Sequence, residues 1–142
     1  MAAGQGLLVF FGLMVSLAAT PVLAQGVDAG RLEYENQCSV CHGAKARGDG
    51  PLAGTLSEKV PDLSVLKKNN NGVMPLQTMY EIIEGKTFVR AHGQRDMPIW
   101  SKRLADQAQF FLGAKASEAQ KQTFVRERIL ALIGYIGTLQ AD

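Results

Sequence analysis

The five residues Cys-Ser-Val-Cys-His at positions 38–42 constrain this chain more than any other feature of its sequence. They contain both cysteines of the 142 residues and one of the two histidines. A disulfide between Cys38 and Cys41 would close a very short loop, which adds little stability in the chain-entropy description. A structural zinc site needs about four ligands, and a thioredoxin-like dithiol needs a βαβ context that this sequence does not show. The pattern therefore favours another chemistry.

The order and spacing of the two thiols and the imidazole match the attachment pattern of c-type haem. Each thiol adds across one haem vinyl group, and a three-residue step on a helical turn presents both sulfurs to the same edge of the ring. His42 follows directly and would ligate the iron from the proximal side. We predict one covalently bound haem c, attached through Cys38 and Cys41 and ligated by His42.

The first 24 residues have the pattern of a secretory signal peptide. Residues 7–19 form an apolar run, followed by Pro21 and by the small residue Ala24 at the expected cleavage site. Cleavage would leave residues 25–142 as a single domain in the periplasm, without stable membrane insertion. The segment before the apolar run carries no Lys or Arg. If cleavage did not occur, residues 7–24 would act as a membrane anchor, because they approach the length of a span.

The region after residue 24 resembles the class I cytochromes c over nearly all of its length. Its first predicted helix, residues 28–40, carries Gly30 eight residues and Tyr34 four residues before Cys38, like the N-terminal helix of that family. Residues 132–136, Leu-Ile-Gly-Tyr-Ile, resemble the core of the C-terminal helix. The resemblance implies an all-α cytochrome c fold, in which these two helices cross at near right angles.

Two glycines are candidates for the contact between the crossing helices. Because Gly30 has no Cβ, the backbone of the partner helix can pack directly on it. Gly134 could serve the same crossing from the other helix. Each glycine inside a helix costs about 1 kcal/mol relative to alanine, so two of them at matching positions favour a close approach.

Residues 48–51, Gly-Asp-Gly-Pro, resemble the Gly-x-Gly-Pro loop that follows the haem motif in many bacterial members of the family. In those proteins the proline carbonyl accepts a hydrogen bond from the proximal histidine. The resemblance implies such a bond from His42 to Pro51, which would fix the ring and increase its donation to iron. Taken alone, the four residues predict only a loop.

A methionine is expected to fill the sixth position of the iron, as in electron carriers of this class. Met79 follows helical spacing within residues 76–85 and is assigned to the core. Met74 is followed by proline and fits the first turn of that helix. Residues 91–100, Ala-His-Gly-Gln-Arg-Asp-Met-Pro-Ile-Trp, resemble the methionine loop of a bacterial subgroup. Met97 is therefore the predicted ligand.

Two other states of the sixth position stay open on the sequence alone. His92 is the second histidine, and bis-histidine ligation would lower the reduction potential relative to His/Met ligation. An open position would instead indicate gas binding or peroxidase-like chemistry, in an enzyme or a sensor.

The rest of the chain predicts helices and irregular loops. One helix covers residues 76–84 and ends at Gly85, and residues 102–113 form a second, short amphipathic helix. The last helix begins at a capping box, Ser117-x-x-Gln120. In the helix over residues 102–113 the apolar face carries Leu104, Ala108, Phe111 and Leu112. In the last helix it carries Phe124, Ile129, Leu132, Ile133 and Ile136.

The expected function is single-electron transfer without catalysis of its own. A formal charge of +2 gives no reason to expect a nucleic-acid partner, so the expected partners are redox proteins: a dehydrogenase, an oxidase or another cytochrome. The alternative is a cytochrome c subunit held permanently in a larger dehydrogenase or oxidase. Residues 110–112, Phe-Phe-Leu, are the candidate apolar face for that docking.

Overall fold

The computed structural model describes residues 22–87 and 97–141, and these residues form helices and loops without any strand. Two 3₁₀ turns, Ala53–Thr55 and Leu63–Val65, lie between the helices Ser39–His42 and Leu66–Asn69. The predicted all-α class is confirmed for these residues. In chain order the helical elements are α1 (Val22–Glu33), a π-helical turn (Tyr34–Cys38), α2 (Ser39–His42), α3 (Leu66–Asn69), α4 (Leu76–Glu84), α5 (Trp100–Leu112) and α6 (Glu118–Thr138).

Some predictions concern residues outside these ranges. They are residues 1–21 of the signal peptide, and His92 with the rest of segment 88–96. No helix in the described ranges is both long and apolar enough to span a membrane. Within the described residues the first helix already covers Val22–Glu33, so it extends further toward the N-terminus than the predicted start at residue 28.

Local hydrogen bonds fix one end of α4 and one end of α6. Gly85 adopts a left-handed conformation with φ of 87°, and its N–H bonds to the carbonyls of Glu81 and Ile82, which ends α4 where predicted. At the start of α6, Ser117 Oγ accepts a bond from the N–H of Gln120, whose side chain accepts one from the N–H of Ser117 at 2.9 Å. Both predictions are confirmed.

The core lies where α6 packs against α1, α4 and α5. In α5 the buried positions are Trp100, Leu104 and Ala108, four residues apart on one face. Phe111 and Leu112, predicted on that face, are instead exposed, and Phe111 stacks on Phe124 of α6 with ring centroids 5.8 Å apart. The buried positions of α6 are Ile129, Leu132, Ile133 and Ile136, as predicted, whereas Phe124 is only partly buried.

Gly30 sets the contact between α1 and α6. A Cβ at this position would overlap the carbonyl carbon and oxygen of Ala131, so only glycine permits the approach. The prediction for Gly30 is confirmed. The prediction for Gly134 is wrong: this residue is exposed, and a Cβ there would meet nothing within 4 Å. The side of α6 that faces the core in this turn carries Leu132 and Ile133 instead.

Gln140 and Ala141 tie the 3₁₀ turn at Leu63–Val65 and the start of α3 to the C-terminus of α6. Gln140 Nε2 donates to the carbonyl of Leu63 at 2.7 Å, and Gln140 Oε1 accepts from the N–H of Lys67 at 2.9 Å. The N–H of Ala141 donates to the carbonyl of Ser64 at 2.7 Å. These bonds hold residues 63–67 against the core.

Candidate functional site

The loop after α2 folds back over the Cys-Ser-Val-Cys-His motif. The N–H groups of Gly48, Gly50 and Leu52 donate to the carbonyls of His42, Cys41 and Val40, at 2.9, 3.1 and 2.9 Å. The last carbonyl groups of a helix have no hydrogen-bond donor within the helix. Here the loop supplies one N–H donor to each of the carbonyls of Val40, Cys41 and His42. The short helix that carries the motif is therefore held at its C-terminus.

Gly50 allows this loop to lie directly on the motif. A Cβ at Gly50 would lie 2.6 Å from the carbonyl oxygens of both Ser39 and Val40, which is too close for any other residue. The predicted loop over residues 48–51 is confirmed, and Gly50 is required in it because a side chain would clash with the backbone of the motif.

A cavity of about 300 Å³ opens beside the motif. Cys38, Cys41, His42 and Met97 all line it, so the structure brings these four predicted site residues to one place. The described residues in the cavity wall include no Asp, Glu, Lys or Arg. The wall is mostly apolar, with contributions from the 56–66 segment, α4, α5 and α6, among them Val60, Leu66, Ile83, Trp100, Leu132 and Ile136.

His42 is only 9% exposed, and its Nδ1 lies 3.4 Å from the carbonyl oxygen of Pro61. A carbonyl oxygen only accepts hydrogen bonds, so this contact places the proton on Nδ1 and the lone pair of a neutral ring on Nε2. Pro51 was expected to provide this oxygen. The structure corrects that prediction, because the carbonyl oxygen that lies within reach of His42 Nδ1 belongs to Pro61.

The two thiols are free and partly buried. Burial raises the pKa of the Cys38 thiol to about 12, and the neighbouring Glu33 and Cys41 contribute to the shift. At neutral pH this thiol is therefore protonated and uncharged, which suits an apolar wall. Reactive redox cysteines are distinguished by a lowered pKa, which is the opposite shift.

Two methionines line the cavity. Met97 is partly buried there, and Met79, only 7% exposed, contributes to both the core and the cavity wall. The assignment of Met79 to the core is confirmed, but its position in the wall was not anticipated. Met74 packs against the core and is not among the described residues of the cavity wall.

Sequence reasoning missed two further contributors. Pro61 reaches His42 across 19 residues of chain, and no local signal marks it. Trp100 is buried in the wall, and its Nε1 has no hydrogen-bond partner among the described residues. The guanidinium of Arg103 lies 5.5 Å from the centroid of the Trp100 ring. The helical spacing of Trp100, Leu104 and Ala108 could have indicated its burial.

The site contains two thiols, which can attach a group covalently. It also contains an imidazole and a thioether, which can bind a metal ion carried by that group. Across residues 22–87 and 97–141, no three His, Cys, Asp or Glu side chains come together in a way that could hold a metal ion. Comparisons with protein-family models, with curated proteins and with solved structures found no match to this chain.

Proposed function

We propose that this chain is a class I c-type cytochrome, which binds one haem c in the cavity and transfers single electrons between redox proteins. The observation that carries the proposal is that Cys38, Cys41, His42 and Met97 line the same cavity, although Met97 is remote from the motif in sequence. A Cys-x-x-Cys-His motif placed at random on a helical surface would not be expected to share an apolar cavity with a distant methionine.

The residues present fit a haem. The porphyrin is a large, mostly apolar group, and the described part of the cavity wall is mostly apolar and carries no charged side chain. Cys38 and Cys41 would hold haem through thioether bonds, and His42 and Met97 would bind its iron. Bound haem supplies reversible one-electron exchange at its iron.

The other residues of the site tune and protect that group. The Pro61 carbonyl orients the His42 ring and makes it a better donor to iron. Thioether ligation by Met97 raises the reduction potential. The mostly apolar wall would surround the haem with side chains that do not bind water, which supports an electron-transfer site.

The structure gives two reasons to prefer haem attachment over a dithiol redox centre. The raised pKa of Cys38 keeps its thiol protonated, and thiolates are the reactive form in dithiol exchange. The cavity beside the two thiols is also far larger than disulfide exchange between them would need.

The finer fold and the location are part of the same proposal. Close packing of α1 on α6 at Gly30 supports the helix pair of class I cytochromes c. The apolar run in residues 7–19 supports export to the periplasm, where residues 25–142 would form the functional domain.

A second candidate role, as a subunit of a larger dehydrogenase or oxidase, rests on one observation. Phe110, Phe111 and Leu112 at the end of α5 are 84%, 60% and 43% exposed. Adjacent exposed aromatic side chains are typical of surfaces that another protein covers. Size-exclusion chromatography of a mild cell extract separates the two roles, since a free carrier elutes at the mass of one chain.

The proposal is tested by asking whether haem stays on the chain after denaturation. The full-length protein, produced in cells that attach haem c, is compared with Cys38→Ala/Cys41→Ala and with Val40→Ala. Val40 lies between the cysteines and is partly exposed, so its truncation leaves both thiols in place.

Wild type and Val40→Ala should retain haem through acid–acetone extraction and show the added mass of one haem. The double variant should release all of it. A wild-type chain that carries no covalent haem would overturn the proposed function.

A further inference from the structure

A mostly buried ion pair joins the end of α1 to α6. Arg128 Nη1 lies 3.5 Å from Glu33 Oε1, and the two side chains are 25% and 14% exposed. In the other ion pairs of the described residues, at least one partner is about half exposed or more. Charges withdrawn from water are screened only weakly, so this pair acts over a longer distance than the surface pairs do.

The pair lies next to the large cavity of the site. A small cavity of about 10 Å³ is lined by Glu33 and Arg128 together with Cys38, Trp100 and Leu132. The last three of these residues also line the large cavity. The ion pair therefore borders on the same side chains as the proposed haem site.

The charge of Glu33 acts on the sulfur of Cys38. Burial raises the pKa of the Cys38 thiol most, and the neighbouring Glu33 raises it further. In the proposed haem protein this sulfur would be bonded to the haem. A negative charge beside a haem stabilises the ferric form, because that form carries one positive charge more than the ferrous form.

Arg128 is held where it offsets part of that charge. Its guanidinium lies 4.9 Å from the ring centroid of Phe124 and 5.5 Å from that of Phe111, and both contacts are attractive for a cation. Since these rings belong to α6 and α5, the position of the guanidinium does not depend on Glu33 alone. Removal of either charge would leave the other beside the cavity without its partner.

We propose that Glu33 and Arg128 are tuning residues that shift the reduction potential of the bound haem in opposite directions. This inference rests on the proposed function. The electron that reduces the iron comes from a redox partner protein, and no bond or proton in the pair changes. Glu33 disfavours uptake of that electron and Arg128 favours it, so the balance between the two charges adjusts the potential.

Neutral substitutions in the loaded, full-length protein separate the two effects. Glu33→Gln keeps the size of the side chain and removes its charge, and Arg128→Gln leaves Glu33 as the remaining charge. Glu118→Gln is the matched control, because it removes a carboxylate from the exposed pair with Lys121. Neither Glu118 nor Lys121 is among the described residues of the two cavity walls. Redox titration followed in the optical spectrum gives each potential, and the melting temperature is recorded in parallel.

A unit charge on the order of 10 Å from another, at an effective dielectric constant of about 20, changes an equilibrium constant roughly tenfold. For one electron that is about 59 mV. We expect Glu33→Gln to raise the potential by up to this amount, Arg128→Gln to lower it and Glu118→Gln to leave it unchanged. The melting temperature should fall in both variants of the buried pair, so lost packing alone cannot produce shifts of opposite sign.

The double variant Glu33→Gln/Arg128→Gln leaves no lone buried charge, and it keeps the test available if a single variant does not fold. Its potential should still lie above that of wild type, because Glu33 acts at the attached sulfur. An unchanged potential in Glu33→Gln or in the double variant, or shifts of the same sign in both single variants, would overturn the tuning role while wild type still carries covalent haem. A wild type without covalent haem would instead overturn the proposed function, and this inference with it.

Discussion

Met97 and Met79 bring the same thioether group to the cavity, but in the proposed haem site only one of them would bind the iron. Met79 lies in α4 with its side chain in the core, whereas Met97 is less buried and is followed by a proline that stiffens its backbone. We expect Met97→Ala to abolish the weak ferric iron–methionine charge-transfer band of the loaded protein. Optical spectra of the ferric form measure this directly.

Met74→Ala and Met79→Ala are the matched controls for that variant. Both remove a thioether and should retain the band, although Met79→Ala should also lose stability because it leaves a hole in the core. A band that survives in Met97→Ala would exclude Met97 as the ligand. Absence of the band from wild type would direct attention to His92 or to an open site.

At the residue scale, contacts between residues close together in sequence were predictable, and contacts made by distant segments that fold back onto the motif were not. The spacing of Cys38, Cys41 and His42 is fixed within two helical turns, so the sequence alone indicates it. The acceptor for His42 depends on where residues 60–63 return to the motif, which is set in part by a bond from the N–H of Leu63 to the carbonyl of Ala46. No spacing rule around Pro51 contains that information.

The contact between α1 and α6 gives a prediction at the scale of elements. Gly30→Ala places a Cβ against the carbonyl group of Ala131, and we expect a loss of about 3 kcal/mol in the free energy of unfolding. Gly134→Ala adds the same methyl group to the same helix pair in open space, and should gain up to about 1 kcal/mol. Urea denaturation of the loaded proteins compares the two.

The two substitutions are chemically identical, so helix propensity alone would make both stabilising. Equal gains in stability would show that α1 and α6 do not approach closely at Gly30. A loss in Gly134→Ala would show that its exposed position is covered by something other than solvent.

The ends of helices were predictable where a side chain or a glycine determines them. Gly85 ends α4 and Ser117 begins α6 through bonds within a few residues of chain. The start of α5 at Trp100 and the exposed end of that helix depend instead on where the core lies. Gly134 was misassigned for the same reason, since its spacing does not reveal which side of α6 meets α1.

For the whole molecule, the cavity implies that the proposed haem would be part of the core. Without haem, the apolar side chains around this space of about 300 Å³ would face water instead of a partner, and an ordinary domain has only roughly 5–15 kcal/mol of stability to lose. We expect Cys38→Ala/Cys41→Ala, purified without haem, to melt at a much lower temperature and less cooperatively than the loaded protein.

Circular dichroism and calorimetry would follow that transition, with Val40→Ala in its loaded form as the control. A haem-free chain that melts cooperatively at the wild-type temperature would show that the helices form a complete core by themselves.

The π-helical turn at Tyr34–Cys38 has a consequence for how this helix can change. Residues 22–42 form one continuous helical rod, and each α-helical residue rotates the next side chain by about 100°. The wider π-helical turn at Tyr34–Cys38 changes the rotation between the residues before it and the residues after it. Gly30 then lies against α6, while Cys38 and Cys41 line the cavity. The contact with α6 and the lining of the cavity are thereby made before and after the change in helical phase, so the two need not share one helical face.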